Sequence, residues 1–186
     1  MAGILNTNTS APTQQTDEVT VDAFRKTMRE LAGGVAVVTV GQGADRTGFT
    51  ATSVESLSAE PPRLLVSLNE GSSSWKALQQ YPCFGVNVLR ADQQSLADQF
   101  AGRGGVHGLE RYRGAAWTSL VSGGAAILED ALAGIDCIVE EILPRHGHAI
   151  VIGRVRAVLI QADGHPLLYW QGAYRQISQQ PISPKE

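Results

Sequence analysis

Small hydroxyls crowd one stretch of this 186-residue chain, "TGFTATSVESLSAEPPRLLVSLNEGSSSW", residues 47 to 75. Thr50, Thr52 and Ser53 fall along one strand-like run, Ser67 and Asn69 end the next, and Ser72, Ser73 and Ser74 lead into a helical pattern. Hydroxyls and free backbone N–H groups at a helix start can seat an anion without a basic patch. Small side chains also let a flat ligand approach the backbone, which can donate to heteroatoms on a ring edge. Together these features describe a site for a planar aromatic cofactor with a phosphate tail. The same hydroxyls would also serve to cap strands and the helix, and composition leaves both readings open.

Other catalytic patterns are weaker. "GRGGVHG" at 102 to 108 has neither the glycine spacing nor the strand-to-helix context of a dinucleotide fingerprint, and reads as a loop. Neither a phosphate-binding GxxxxGK[ST] loop nor a GxSxG nucleophile motif occurs. His146 and His148 in "HGH" could ligate a metal, but no further ligand stands at zinc-like spacing, so the pair reads as a turn before a strand and no metal is expected. Asp136 and Glu140 lie on one face of a predicted strand, where a solvated edge accounts for them as well as an acid–base pair does. Cys83 and Cys137 sit in apolar runs and read as buried thiols, with a disulfide or redox pair as the alternative.

The elements that must position the hydroxyls follow from periodicity. "TVDAFRKTMRELAGG" predicts a helix capped by Thr20 or Asp22, with Phe24, Met28 and Leu31 on one face and Gly33 and Gly34 at its end. "VAVVTV" predicts a strand buried on both faces. "TGFTATSVESLS" and "PPRLLVSLN" predict two strands, with Pro61 and Pro62 at a strand start or turn. "SSSWKALQQ" predicts a short serine-capped helix, "CFGVNVLR" a strand, and "DQQSLADQFA" a second short helix. An irregular Gly-rich region, 102 to 126, follows, of a length that usually serves a site or interface. "AGIDCIVEEIL", "GHAIVIGRVRAVLI" and "PLLYWQGAYRQI" predict three long strands. That makes about seven strands and three short helices without strand–helix alternation, so a mainly β chain with short helices, built as a small barrel, is expected rather than a doubly wound sheet. Ile150, Val151 and Ile152 run consecutively, so the barrel's outer face needs a cover, from helices or a second subunit.

Bulk properties narrow the classes. One domain is expected over 19–177, between polar, aperiodic tails at 1–18 and 178–186. A net charge of −3 gives no electrostatic case for nucleic acid or an anionic membrane as partner. No signal peptide is visible, and no apolar run approaches the ~20 residues of a membrane span, so a cytoplasmic protein is expected.

Five segments, in order, resemble the short-chain flavin reductases, which supply reduced flavin in two-component monooxygenases. They are "GFTATSVESLSAEPPRLLVSLNEGSSSWKAL", "FGVNVLRADQQSLADQFAG", "LERYRGAAWT", "GHAIVIGRVRAV" and "PLLYWQGAYRQI", across about residues 22 to 177. Trp75 stands where that family often has His, Gly147 where Asp is frequent, and Gln171-Gly172-Ala173 where arginines are frequent. The resemblance implies an FMN-binding split β-barrel, a homodimer, and NAD(P)H:flavin oxidoreductase activity on FMN or FAD with NADH or NADPH. Hydride would pass to flavin N5, and reduced flavin would diffuse to a flavin-dependent monooxygenase. By resemblance, Thr50, Ala51, Thr52, Ser53 and Val54 line the isoalloxazine edge. Ser67, Leu68, Asn69, Ser72, Ser73 and Ser74 reach the ribityl chain and phosphate, and Asn87 lies in the matching "FGVNVL". His148 would contact the nicotinamide nucleotide, and Tyr174 and Arg175 would approach the cofactors near the barrel rim. With no basic clamp in view, the flavin is expected to be exchangeable. The alternatives are a flavin-retaining oxidoreductase or oxidase on the same barrel, or a non-catalytic flavin-binding protein.

Overall fold

A computed structural model describes residues 19–161 and 163–177, so the expected tails at 1–18 and 178–186 lie outside the described residues. Helices α1 (Val21–Met28), α2 (Ser73–Gln80) and α3 (Gln94–Phe100) punctuate twelve strands. The strands are β1 (Gly33–Gly34), β2 (Ala36–Val40), β3 (Thr47–Ala51), β4 (Val54–Ala59), β5 (Pro62–Asn69), β6 (Cys83–Val88), β7 (Trp117–Thr118), β8 (Ile127–Leu128), β9 (Ala133–Arg145), β10 (His148–Ile160), β11 (Leu167–Trp170) and β12 (Ala173–Gln176). Seven of them form one antiparallel sheet in the order β3-β2-β6-β9-β10-β5-β4.

The two edge strands of that sheet, β3 and β4, are consecutive in the chain and separated only by Thr52 and Ser53. The sheet therefore curls until its edges meet through the backbone, without a ladder between them: a barrel with a split. The sequence predicts one strand across 47–58, and the break at Thr52–Ser53 is what lets the chain pass from one lip of the split to the other.

Side chains pointing into the curl form the first core, with Val38, Val40, Leu64, Val66, Leu68, Phe84, Val86, Cys137, Ala149 and Val151 buried. A second core lies on the other face of β2, where Val35, Val37 and Leu89 meet Leu96, Ala97, Phe100, Tyr112 and Leu128. Strand β2 is thus buried on both faces, as its unbroken β-branched run predicts. The Gly-rich region is better ordered than its composition suggests. Two 3-10 turns, Arg103–Gly105 and Gly108–Tyr112, deliver Tyr112 to an aromatic cluster with Phe100 and Trp117, at centroid distances of 4.8 to 5.7 Å. Gly48 is required at this packing: a Cβ there would lie 2.5 Å from the Val38 carbonyl and 2.7 Å from the Phe100 ring.

Thr20 caps α1, its hydroxyl accepting from Ala23 N at 3.2 Å. The predicted apolar face is present but uncovered among the described residues: Phe24 is 57% exposed and Leu31 65%. The "PLLYWQGAYRQI" segment is two strands, β11 and β12, turning at Gln171 and Gly172, both in the left-handed region. They pair with β1 in a separate three-stranded sheet, so Gly33 and Gly34 are strand residues and not the expected end of α1, which stops at Met28.

Candidate functional site

Helix α2 starts at the split end of the barrel. Its cap, Ser72, is engaged in both directions: the hydroxyl donates to Asn69 O at 2.7 Å and accepts from Trp75 N at 3.2 Å. Ser73 Oγ lies 2.9 Å from Thr47 Oγ1. Ser74 differs. It is 1% exposed, and among the described residues its hydroxyl has no hydrogen-bond partner. A buried polar group is normally paired, because leaving it unmet costs ~1–3 kcal/mol.

Ser74 lines a cavity of about 490 Å³ together with Gly48, Phe49, Thr50, Ser72, Ser73, Phe100, Ala101, His107 and Arg111. The space is within the ~300–1,000 Å³ range of small-molecule sites. Its walls combine aromatic surface, the amino end of α2 and one guanidinium. Arg111 is held in place by donating from Nε to Val106 O at 3.1 Å and from a terminal nitrogen to Gly48 O. Burial lowers its pKa from the ordinary value. Nearby, Arg46 lies 5.9 Å over the Tyr112 ring, and its Nε is shielded and unpartnered. The Tyr112 hydroxyl donates to Thr47 O at 2.5 Å, and burial pushes its pKa up, so it acts as a fixed donor.

These cations correct the expectation of a site without a basic clamp. Arg111 comes from the long Gly-rich region, where only the length and glycine content hinted at a site. His107 shares that region, whereas nothing local marked Arg46 or Phe100 as a site residue.

The structure brings most of the expected residues to one end of the barrel. Thr50 is on the cavity wall, though its hydroxyl already donates to Ala97 O at 2.5 Å. Ala51 and Leu68 point into the core, 7% and 2% exposed, so only their backbone is available to a ligand. Thr52, Ser53 and Val54 form the crossing of the split, and Ser53 O accepts from Ser67 N at 3.4 Å. Asn69 folds its side chain back onto Gly71 N at 2.7 Å, which shapes the turn into α2.

His148 stands opposite Asn69 in the β10–β5 ladder, at the rim beside that turn and outside the cavity lining. Its neighbours His146 and Gly147 both have positive φ, 50° and 78°, so "HGH" is the β9–β10 hairpin turn. Among the described residues no cluster of potential ligands could hold a metal ion.

Other expected residues lie elsewhere. Asn87 is a correction: it is fully buried, its amide donates to Val37 O at 3.0 Å and accepts from Leu128 N at 2.7 Å, so it is a strut between strands, outside the cavity lining. Tyr174 packs edge-on against Tyr169 under the Arg103 guanidinium, 5.8 Å away. Burial first, and a hydrogen bond to Asp98 second, push its pKa up to about 12. Tyr174 and exposed Arg175 line a separate shallow hollow with Ala91, Gln94 and Leu167, which shares no lining residue with the Ser74 cavity.

Asp136 and Glu140 alternate with Ile135, Cys137 and Val139 of the first core and share the face turned away from it, but they are not paired with each other. Glu140 is skipped between Glu141 and Val139 in the β9–β10 register, a bulge at which it pairs with Arg63. Asp136 is fully buried and accepts from Arg156 Nε at 2.7 Å and Ala125 N at 2.9 Å. Cys83 and Cys137 are both free. They face opposite sides of the sheet, since Cys137 is opposite Phe84 and Cys83 opposite Ile138. Burial raises both thiol pKa values, that of Cys137 to about 12, which leaves them unreactive.

The geometry has close counterparts. A family model described as "Flavin reductase like domain" matches residues 28–178. "FMN reductase (NADH) RutF 2" of Rhizobium rhizogenes is 35% identical over 168 residues, covering 90% of this chain and 95% of that protein. Among solved structures, the NADH:FAD oxidoreductase SgcE6 of Streptomyces globisporus, in complex with NAD and FAD fragments, superposes with a TM-score of 0.77 at 27% identity, covering 87% of this chain and 94% of that one. The styrene monooxygenase flavin reductase SMOB of Pseudomonas putida does so with a TM-score of 0.74 at 29% identity, covering 86% and 99%. With the family model spanning most of the chain and the split barrel in common, the chain belongs to the flavin reductase-like family.

Proposed function

We propose that this protein is an NAD(P)H:flavin oxidoreductase that reduces FMN or FAD and supplies the reduced flavin to a monooxygenase. The observation that carries the reading is Ser74: a buried hydroxyl without a partner, at the amino end of an eight-residue helix, lining a cavity that Arg111 also enters. A phosphate supplies what that arrangement lacks, acceptor oxygens and negative charge. The Phe49 and Phe100 surfaces and the small Gly48 leave room above it for a planar ring system.

The chemistry, hydride transfer from the nicotinamide to the flavin ring, belongs to the two bound molecules. The protein's part is placement. Ser74, Arg111 and the α2 N–H groups hold the phosphate, the backbone of Thr50–Val54 borders the ring, and His148 at the rim orients the nicotinamide nucleotide. Holding both rings in contact is the main lever on rate.

The decisive assay measures NADH oxidation with and without added FMN or FAD. A rate that rises in proportion to free flavin supports a reductase with exchangeable flavin. The Arg46 and Arg111 guanidinium groups favour a second reading, a flavin-retaining enzyme, which would keep its flavin through gel filtration and ignore further additions. A carrier would oxidise no NADH.

The partner surface is proposed to be a second copy of the chain. The stripe Phe24, Met28 and Leu31, and Leu57 and Ile150 on the outer sheet face, are exposed large apolar groups that a monomer leaves wet. Light scattering at twice 19.8 kDa is expected, and a mass of 19.8 kDa would refute it. The reading places the protein in the cytoplasm, where NADH and flavin are supplied; no helix among the described residues is long and apolar enough to cross a membrane.

A further inference from the structure

Arg111 reaches the main cavity from a segment with little intrinsic reason to hold still. Between α3 and the Gly108–Tyr112 turn the chain runs through Gly104 and Gly105, both at positive φ, 76° and 72°. Glycine makes such a path accessible and also gives the segment the most freedom to leave it. A five-residue 3-10 turn leaves most carbonyls at its carboxyl end to outside partners.

Side chains meet four of them in succession. Gln99 Nε2, in the last turn of α3, donates to Arg111 O at 2.8 Å and lies 3.2 Å from both Glu110 O and Arg113 O. Trp117 Nε1 donates to the fourth, Tyr112 O, at 3.0 Å. An amide NH2 carries two hydrogens, so one serves Arg111 O and the other is shared by its neighbours. Gln99 closes this stretch of chain at its neck, across a separation of fourteen residues. The other tie is weaker: Arg103 meets Asp98 at 2.7 Å, only five residues away, through side chains 59% and 29% exposed. The Arg111 side chain uses two of its five N–H groups on Val106 O and Gly48 O. That long side chain starts from the backbone that Gln99 holds, so a shift of the turn carries straight to the guanidinium. Charge-assisted hydrogen bonds tolerate little misalignment.

Resting on the flavin reading of the main cavity, we propose that Gln99 is a positioning residue for flavin binding. Its amide holds the Arg111 turn against α3. Through Arg111 it sets how strongly a flavin with a phosphate is preferred over one without.

The measure is the ratio of FMN to riboflavin affinity, titrated by flavin fluorescence, since riboflavin lacks only the phosphate. Gln99→Met keeps the length of the side chain and removes both donors. FMN is expected to bind about tenfold more weakly, with riboflavin unchanged within about twofold. Gln99→Lys returns donors to the same carbonyls and is expected to bring FMN affinity back to within about threefold of wild type. On an Arg111→Ala background neither substitution should change the ratio further, because the residue they act through is gone. Equal losses for FMN and riboflavin would make Gln99 a strut of the fold and overturn the assignment. So would a ratio that holds in Gln99→Met, a Gln99→Lys protein as weak as Gln99→Met, or a further change of ratio on the Arg111→Ala background. Gln99→Asn, which retracts the amide by one methylene, is read by the same criteria if Gln99→Met does not fold. A wild type that binds neither flavin, or binds riboflavin as tightly as FMN, ends the phosphate reading of the cavity and this assignment with it. A wild type that prefers FMN, with variants that keep the preference, ends only the role of Gln99.

Discussion

Two groups of buried polar side chains in this protein have opposite characters. One group lies between sheet layers: Thr39, Asn87 and Asp136, all fully buried. Each has its partners. Thr39 Oγ1 donates to Ala126 O at 2.6 Å, Asn87 uses both ends of its amide, and Asp136 meets Arg156 and Ala125. The second Arg156 terminal nitrogen is poorly aligned for a hydrogen bond but lies 2.6 Å from the same Asp136 oxygen, so its charge is answered. The other group lies at the split: the Ser74 hydroxyl and Arg46 Nε, shielded and unmet. Satisfied groups pin strands together, and under the proposed function the unsatisfied ones are those a ligand would meet. Burial alone does not distinguish them; bookkeeping of donors and acceptors does.

That contrast is broken most violently at Asp136. Asp136→Ala strands Arg156 in a low-dielectric setting, and a loss of about 3 kcal/mol in unfolding free energy is expected from denaturant titration. Flavin affinity of the folded protein should not change. Asn87→Ala comes next, leaving the Val37 carbonyl and Leu128 amide without partners, at a cost of about 2 kcal/mol. If Asn87 touches flavin after all, its variant will weaken binding more than the loss of stability accounts for.

Ser74→Ala inverts the pattern. It removes a buried hydroxyl that has no partner in the empty protein, so melting temperature without flavin should hold or rise. Flavin binding should weaken about tenfold, near 1.4 kcal/mol. A melting temperature that falls while affinity holds would make Ser74 a strut like Asn87. The smallest effect is expected at His148→Ala. Stopped-flow reduction with flavin pre-bound should show a severalfold loss in apparent NADH affinity or in the reduction step, with flavin affinity intact. Equal losses in flavin affinity and melting temperature would return His148 to its hairpin turn.

Much of the frame was legible before any coordinates. The serine run announces a capped helix, and the β-branched "VAVVTV" announces a strand with two buried faces. These are local effects, written in neighbouring residues. The bulge at Glu140 was not legible, because alternation along β9 fails only where β10 holds a different register. The uncovered face of α1 was legible as apolar, but nothing local says that the chain itself leaves it bare.

What the sequence determined by itself is the inventory: small hydroxyls at a helix start, few charges, strands short enough to curl, and five ordered segments shared with a family. What tertiary structure alone decided is which of those hydroxyls remain available. Thr50 is occupied by Ala97, 47 residues away, and Arg111 is set in the cavity wall by Gly48, 63 residues away. Hydrogen-bond capacity is a property of a side chain's type, but whether it is already used depends on partners that only folding brings within 3 Å. Ser72, Ser73 and Ser74 are indistinguishable in the sequence, and the fold makes one a helix cap, sets one against Thr47 and leaves one buried without a hydrogen-bond partner among the described residues.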